Sequence, residues 1–327
     1  MPRAVRTGLL IVGAAVLVIL IVHIGPAVIV GLLRQVGWSL VVVSGVYAVH
    51  LAVRAVGIWR SLPDATLGLV DVLRIRFAAE SVEMLTFTGP FLAEPAKGWL
   101  LARRGVKTAD AYGAIAIEYL LYTAMSAWIA ASALSLLIGR RALPVAVRVP
   151  VLGVIALLVL FTGAFVYAAV TETGLIVPAL RAAGALIGRK RALAAARQVE
   201  PVERVLVHFM HARPRRLLEV LGLEFCSHAL LVLEIGILFR AIGVRSLPLD
   251  PWIIEGGVKF TSVAFFFIPG QVGASESVYA LVTAALGLPA AVGLTLALVR
   301  RLRALIVAGF GLLVLPPDLR PAVSRLS

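Results

Sequence analysis

Cysteine occurs once in these 327 residues, at Cys226 within a hydrophobic run, so the chain can form neither an intramolecular disulfide nor a cysteine-based metal site. Charge is also scarce. Asp, Glu, Lys and Arg make up 15% of the residues, against about a quarter in a soluble globular domain. Acids are the scarcer sign, 17 against 31 cations, and 27 of those cations are Arg. No GxxxxGK[ST] phosphate loop is present, which excludes an ATPase of that type. An Asp-rich metal motif, an HxxxH pair and a nameable Ser/His/Asp set are missing too, so no catalytic residue, metal or cofactor is expected. What is present is 61% hydrophobic residues and a mean hydropathy of +1.01, in runs near the roughly 20 residues that cross a bilayer. This composition defines an all-α, polytopic integral membrane protein. The net charge of +14 does not indicate nucleic acid, because most cations flank or interrupt apolar segments instead of forming a basic domain.

Apolar runs of helical length fall at about 8–24, 38–58, 111–138, 149–170 and 218–243, and a more broken stretch covers 252–316. Arg3 and Arg6 ahead of the first run look like the start of a signal peptide, but no small-residue cleavage site follows. A retained first helix with a cytoplasmic N-terminus is expected. Residues 60–107 carry seven Lys or Arg, and 181–216 carry nine against only Glu200 and Glu203. Both segments belong in the cytoplasm by the positive-inside rule. The reading is one transmembrane domain over 1–327, with approximate halves 1–180 and 217–327 joined by the basic cytoplasmic linker 181–216. That linker is expected to be an amphipathic, helix-rich connector whose Arg residues meet anionic headgroups. His208 and His211 in it make a weak metal site, and none is expected.

Two stretches are too hydrophobic for loops and too interrupted for ordinary spans. Arg76–Val106 holds Glu80, Glu83, Glu94 and Lys97 around Gly89, Pro90 and Pro95, and Ile253–Leu286 holds Glu255, Lys259 and Glu276 around Pro269, Gly270 and Gly273. A broken helix in hydrocarbon leaves backbone groups unsatisfied, so such breaks occur only where protein or a water-filled cavity surrounds them. A pair of Gly/Pro-interrupted segments in corresponding positions points to a midplane site in an inverted repeat. The expectation is about six full spans plus two re-entrant helical hairpins entering from opposite faces; the weak step is 252–268, long enough nearly to span, which would give seven or eight spans.

Ionisable residues at membrane depth each cost a few kcal/mol and are functional candidates by default. Glu118, Glu224 and Glu234 lie in apolar runs, and Arg300, Arg301 and Arg303 interrupt the last one. Glu224 and Glu234, ten residues apart, are positioned to line one wall. Arg300 and Arg303 share a helix face, whereas Arg301 points elsewhere and is expected to snorkel. Acids pairing with these arginines to fix the bundle, or an anionic ligand held by them, would each explain their presence.

At these residues the chain resembles the flippase-like membrane family represented by the transmembrane region of lysylphosphatidylglycerol synthases, the multiple peptide resistance factors. The matching elements are Thr88-Gly-Pro through Glu94-Pro-Ala-Lys97, Pro269-Gly-Gln-Val-Gly273-Ala-Ser-Glu276, and Arg300-Arg-Leu-Arg303 ahead of Gly309 and Gly311. The similarity runs over about 8–316. The first motif departs from the commoner GE-x-x-R/K form, since Ala93 stands in place of Gly and Pro95 follows the acid. Stand-alone relatives include hopanoid-biosynthesis-associated membrane proteins, and the aminoacyl transferase domain of bifunctional relatives is not expected here. The resemblance implies ATP-independent movement of an anionic phospholipid or hopanoid-type lipid between leaflets of the bacterial inner membrane. A membrane enzyme of lipid or hopanoid biosynthesis and a non-transporting scaffold are the alternatives, and a homodimer and lipid-synthesis enzymes are candidate partners. On this reading Arg300 and Arg303 take a phosphate. Glu94 and Glu276 sit at the hairpin tips, holding the backbone break or a headgroup amine, and Lys97 and Lys259 counter them. Glu118, Glu224 and Glu234 line the cavity.

Overall fold

A chain in hydrocarbon must satisfy each backbone N–H and C=O internally, which helices do within a single segment. The computed structural model describes residues 22, 26–63, 67–86, 90–140, 145–171, 174, 176–182, 184–264, 271 and 273–314, and helix is the only regular structure among them. In chain order the helices are α1 (Pro26–Val36), α2 (Ser39–Ser61), α3 (Leu69–Thr86), α4 (Pro90–Arg103), α5 (Thr108–Arg140) and α6 (Val145–Thr171). There follow α7 (Ile176–Ala182), α8 (Gly184–Ile187), α9 (Arg189–Ala212), α10 (Pro214–Ala241), α11 (Asp250–Ala264), α12 (Ala274–Ala285) and α13 (Ala290–Val314). By length and composition α2, α5 and α10 are each able to cross a membrane. The expected runs at 38–58, 111–138, 149–170 and 218–243 reappear as α2, α5, α6 and α10. The run at 8–24 lies almost wholly outside the described residues, as do Gly89, Pro269 and Gly270. α1 was not anticipated, and the broken stretch 252–316 separates into α11, α12 and α13.

Local sequence explains the boundaries that matter. Pro214 occupies the first turn of α10, where its missing N–H costs nothing. Gly273 has φ +80°, a backbone region that L side chains rarely adopt, and it precedes α12. Its N–H donates to Glu276 Oε2 at 2.8 Å, so the carboxylate closes the start of the helix. The linker folds into α7, α8 and α9. One face of α9 buries Ala192, Ala196, Leu206, Phe209 and Met210 while Arg189, Lys190 and Arg191 stay exposed. Glu203 reaches back from that face to accept from the Ile176 and Val177 N–H groups at 2.6 and 3.1 Å, satisfying the orphan donors of α7.

The packing repeats. α2 and α10 form the central pair; α3 lies on α4 as α11 lies on α12, and α4 meets α5 as α12 meets α13. α13 packs on α3 as α5 packs on α11, and α13 touches α2 as α5 touches α10. The match is incomplete, since α2 contacts α5 more closely than α10 contacts α13. Small residues draw the long crossings together, as in membrane bundles where lipid supplies no hydrophobic drive between helices. A Cβ at Gly256 of α11 would collide with the Ile129 carbonyl and Ala133 of α5, and one at Gly311 of α13 would collide with the Phe77 carbonyl and Ser81 of α3. Ser81 Oγ donates to the Ala308 carbonyl at 2.5 Å across that second crossing. On the outside, α6 leaves Leu157, Leu160, Val166 and Val170 exposed, an apolar surface that suits lipid.

Candidate functional site

Helical spacing puts Tyr47, His50 and Arg54 along one face of α2, at i, i+3 and i+7. They look across to α10, which carries Glu224, Ser227, His228 and Glu234. Around this central pair stand α5 with Glu118, Tyr122 and Ser126, α11 with Glu255 and Lys259, α13 with Arg300 and Arg303, and α3 with Arg76 and Glu80. Each acid named here except Glu80 and Glu255 is 0% exposed, and those two are 1%. Burial at that depth is stable only if charge is paired.

One cluster centres on Arg54. Its Nε and Nη2 both converge on Oε1 of Glu118 at 2.7 Å, and Nε is 4.0 Å from Glu224 Oε2. The Tyr122 ring covers the guanidinium, 3.8 Å from Cζ to centroid, and stacks on His228 at 4.7 Å. His50 Nδ1 donates to the Ser227 carbonyl at 2.9 Å, tying the two central helices together.

The second cluster centres on Arg300 and Arg303. Arg300 reaches Glu255 Oε2 at 2.7 Å, Glu234 Oε2 at 3.2 Å and the Leu231 carbonyl at 2.7 Å, and also donates to the Tyr279 hydroxyl. Arg303 Nε pairs with Glu234 Oε1, and its guanidinium lies 3.6 Å from the centroid of Tyr47. Tyr47 in turn donates to Glu80, whose other oxygen is 3.1 Å from Arg76 Nη1.

Lys259 joins the clusters. It sits 3.2 Å from Glu255 Oε1 and donates to the Tyr122 hydroxyl at 2.7 Å. Contacts therefore run unbroken from Arg76 on α3 through Tyr47, Arg303, Glu234, Arg300, Glu255, Lys259, Tyr122 and Arg54 to Glu118 on α5. Six helices contribute, including one from each of the pairs α3–α4 and α11–α12. No group of three metal-ligating side chains occurs among the described residues.

The sequence candidates divide accordingly. Glu118, Glu224, Glu234, Lys259, Arg300 and Arg303 come together in this network. Glu94 and Lys97 pair locally at 2.6 Å on α4, as expected. Glu276 is held by the Gly273 N–H and by Arg301 at 2.7 Å. Two expectations change: Lys259 counters Glu255 and not Glu276, and Arg301, placed on the face toward α12, is an ion-pair partner and not a snorkelling side chain. Pro90 opens α4, and Gly273 shapes the entry to α12. Sequence reading overlooked Arg54, Tyr47, His50, Tyr122 and His228. The signal for Arg54 was available, since it is an ionisable residue inside the apolar run 38–58.

Long apolar helices, lipid-suited outer faces and a buried ionic network define a multi-pass α-helical membrane protein. Residues 7–311 match the family model described as lysylphosphatidylglycerol synthase TM region, and the chain belongs to that family. Membership places it among membrane proteins of lipid metabolism or transport. Comparison with curated proteins and with solved structures yields no match.

Proposed function

We propose that this protein moves a polar-headgroup lipid, an anionic phospholipid or a hopanoid-type lipid, between the leaflets of a bacterial inner membrane without ATP or covalent chemistry. The observation that carries this reading is the unbroken ionic chain joining α3 to α11 through the central pair α2–α10. A purely structural bundle has no need of so many buried charges, because apolar replacement of buried ion pairs is often neutral or stabilising. The repeated packing supports two halves rocking about a shared site. Helix α12, of 12 residues between Gly273 and Leu286, falls short of the roughly 20 that span a bilayer, which favours a re-entrant element there. With the basic linker and the N-terminus in the cytoplasm, the two pairs enter from opposite faces.

In this mechanism a headgroup phosphate competes with Glu234 and Glu255 for Arg300 and Arg303, whose planar forks suit phosphate as well as carboxylate. Exchange of one anion for another loosens α13 from α10 and α11, and so couples occupancy to rocking. Glu94, more exposed than Lys97, is placed to take a headgroup amine. The test is movement of labelled phospholipids and hopanoids in ATP-free proteoliposomes by wild type and by Arg303→Lys, which keeps the charge but loses the fork. Movement should fall at least about tenfold in the variant, the effect of losing one hydrogen bond to a charged group. Equal rates in both would remove Arg303 from headgroup handling.

One observation favours an enzymatic reading. His228 Nδ1 donates to the Glu224 carbonyl at 2.8 Å, which leaves Nε2 as an acceptor 2.8 Å from Ser126 Oγ. That is the base–hydroxyl geometry of a nucleophilic serine. Both residues are buried, so a lipid-soluble serine-directed probe is the appropriate test: labelling abolished by Ser126→Ala would support acyl-transfer chemistry, and absence of labelling would oppose it.

A further inference from the structure

The two ionic clusters differ in their balance. Around Arg54, two carboxylates share one guanidinium. Arg54 directs both of its nearest nitrogens at Glu118 Oε1, and Glu118 Oε2 has no hydrogen-bond partner among the described residues. Glu224 Oε2 takes a 3.3 Å contact from Ser227 Oγ, and its Oε1 is buried with no hydrogen-bond partner among the described residues. That oxygen abuts α2 at Gly57, where an added Cβ would lie 3.2 Å from it. An ionised Glu224 would set two carboxylates against one guanidinium and leave its own charge buried with no cation in hydrogen-bonding contact, which is far costlier than neutralising it.

We propose that Glu224 is a proton-binding site, and that its loading and unloading couples a proton to lipid movement. The step is simple in its balance: a proton from water on one face forms an O–H bond at Glu224 Oε1, and the same bond breaks to water on the other face. This rests on the reading of the protein as a lipid carrier. A proton suits the site better than a metal cation, because Arg54 stands 4.0 Å from the carboxylate and repels cations, while a hard cation needs six or more oxygen ligands. Among the described residues, Arg54 from α2 and Glu118 from α5 face Glu224, with Ser227 and His228 beside it on α10 itself and Arg76 of α3 at longer range; His50 of α2 reaches the Ser227 carbonyl, Tyr122 of α5 covers Arg54 and His228, Lys259 of α11 bonds to Tyr122, and Lys97 of α4 acts on Glu118. α9 and α1 meet α10 through apolar side chains, Leu206, Phe209 and Met210 from α9 and Leu33 and Val36 from α1.

Loading also has a mechanical consequence. With Glu224 neutral, Arg54 belongs to Glu118 and ties α2 to α5. With Glu224 ionised, the guanidinium is drawn toward α10. One proton therefore selects which partner α2 holds.

Two measurements on the full chain test this. Infrared difference spectra of the protein in lipid nanodiscs, titrated over about pH 5–9, the range to which buried carboxyls are raised, should contain a protonated carboxyl C=O band. Glu224→Gln should abolish it, and Glu224→Asp should restore a band at a shifted frequency. Glu118→Gln should move its titration to lower pH, because Arg54 is then free to hold the Glu224 carboxylate. A wild type without such a band, or a band that survives Glu224→Gln, overturns the proposal whether or not lipid moves. In proteoliposomes an imposed pH gradient should accelerate lipid movement by wild type and not by Glu224→Gln. Lipid movement that ignores the gradient overturns the coupling while leaving the carrier reading intact, and failure to move any lipid overturns the carrier reading while the infrared result still decides the site.

Discussion

The Arg54 cluster and the Arg300–Arg303 cluster lie beside the same helix, α10, yet they solve the burial of charge differently. At Arg300 and Arg303, two guanidiniums and Lys259 face Glu234 and Glu255, and Tyr279, the Leu231 carbonyl and the Tyr47 ring take further donors and faces, with Arg300 Nε left without a hydrogen-bond partner among the described residues. At Arg54, one guanidinium faces Glu118 and Glu224, and carboxylate oxygens are left over. The balanced cluster holds α13 against α10 and α11. The other leaves Glu224 without a cation in hydrogen-bonding contact, which is the ground for the proton proposed there. Buried ion pairs are in themselves weak evidence for stability, so the difference between the clusters is more informative than the presence of either.

The largest effect should come from breaking the balanced cluster. Glu234→Ala leaves two buried arginines short of a partner, and truncating one side of a buried pair costs about 3–5 kcal/mol. Thermal unfolding in detergent, followed by circular dichroism, should show it far less stable than Glu224→Gln. Equal losses would erase the distinction drawn here. Next come the two helix crossings: Gly256→Ala and Gly311→Ala each force a methyl against a backbone carbonyl, and overpacking of this kind costs about 1–3 kcal/mol. Similar losses from both would support their equivalence, and a loss from only one would break it.

Tyr122→Phe removes the hydroxyl that links Lys259 to the Arg54 cluster but leaves the ring over the guanidinium. About 1 kcal/mol is expected, the net worth of one hydrogen bond. Glu224→Gln should leave stability unchanged or slightly raised, because it removes a buried charge with no cation in hydrogen-bonding contact. Smallest of all is Glu200 on α9. Its hydrogen bond from Arg204, at 2.6 Å, and the Arg204 charge lower its carboxyl below the usual range. A depressed folded value contributes stability above the unfolded value and loses it as pH falls, but the group lies at the surface, open to solvent screening. Glu200→Gln should be indistinguishable from wild type at every pH.

Hydropathy made α2, α5, α6 and α10 legible, because length and composition alone set a spanning helix. It also exposed Glu118, Glu224 and Glu234, since an acid within an apolar run stands out. Local spacing was enough to suggest Glu94–Lys97, three residues apart. The long pairings were not legible: Arg54–Glu118, Arg303–Glu234 and Arg300–Glu255 join residues 64, 69 and 45 positions apart, and only the crossing of helices decides them. Arg301 illustrates the limit. Helical periodicity placed it on a different face from Arg300 and Arg303, but what that face meets, Glu276 at the start of α12, depended on how α12 returns along α13. Tyr47, His50 and Tyr122 were missed for the same reason. Aromatic residues in an apolar span look like packing until charges are found against their rings.

The central claim is that the chain moves lipid unaided. It is tested most directly by reconstituting the wild-type protein in ATP-free liposomes that carry fluorescent phospholipid in both leaflets and adding a membrane-impermeant quencher. The account predicts that quenching proceeds past the outer-leaflet fraction at a rate that rises with protein density. Quenching that stops at the level of protein-free liposomes, for anionic phospholipid and hopanoid alike, would contradict it.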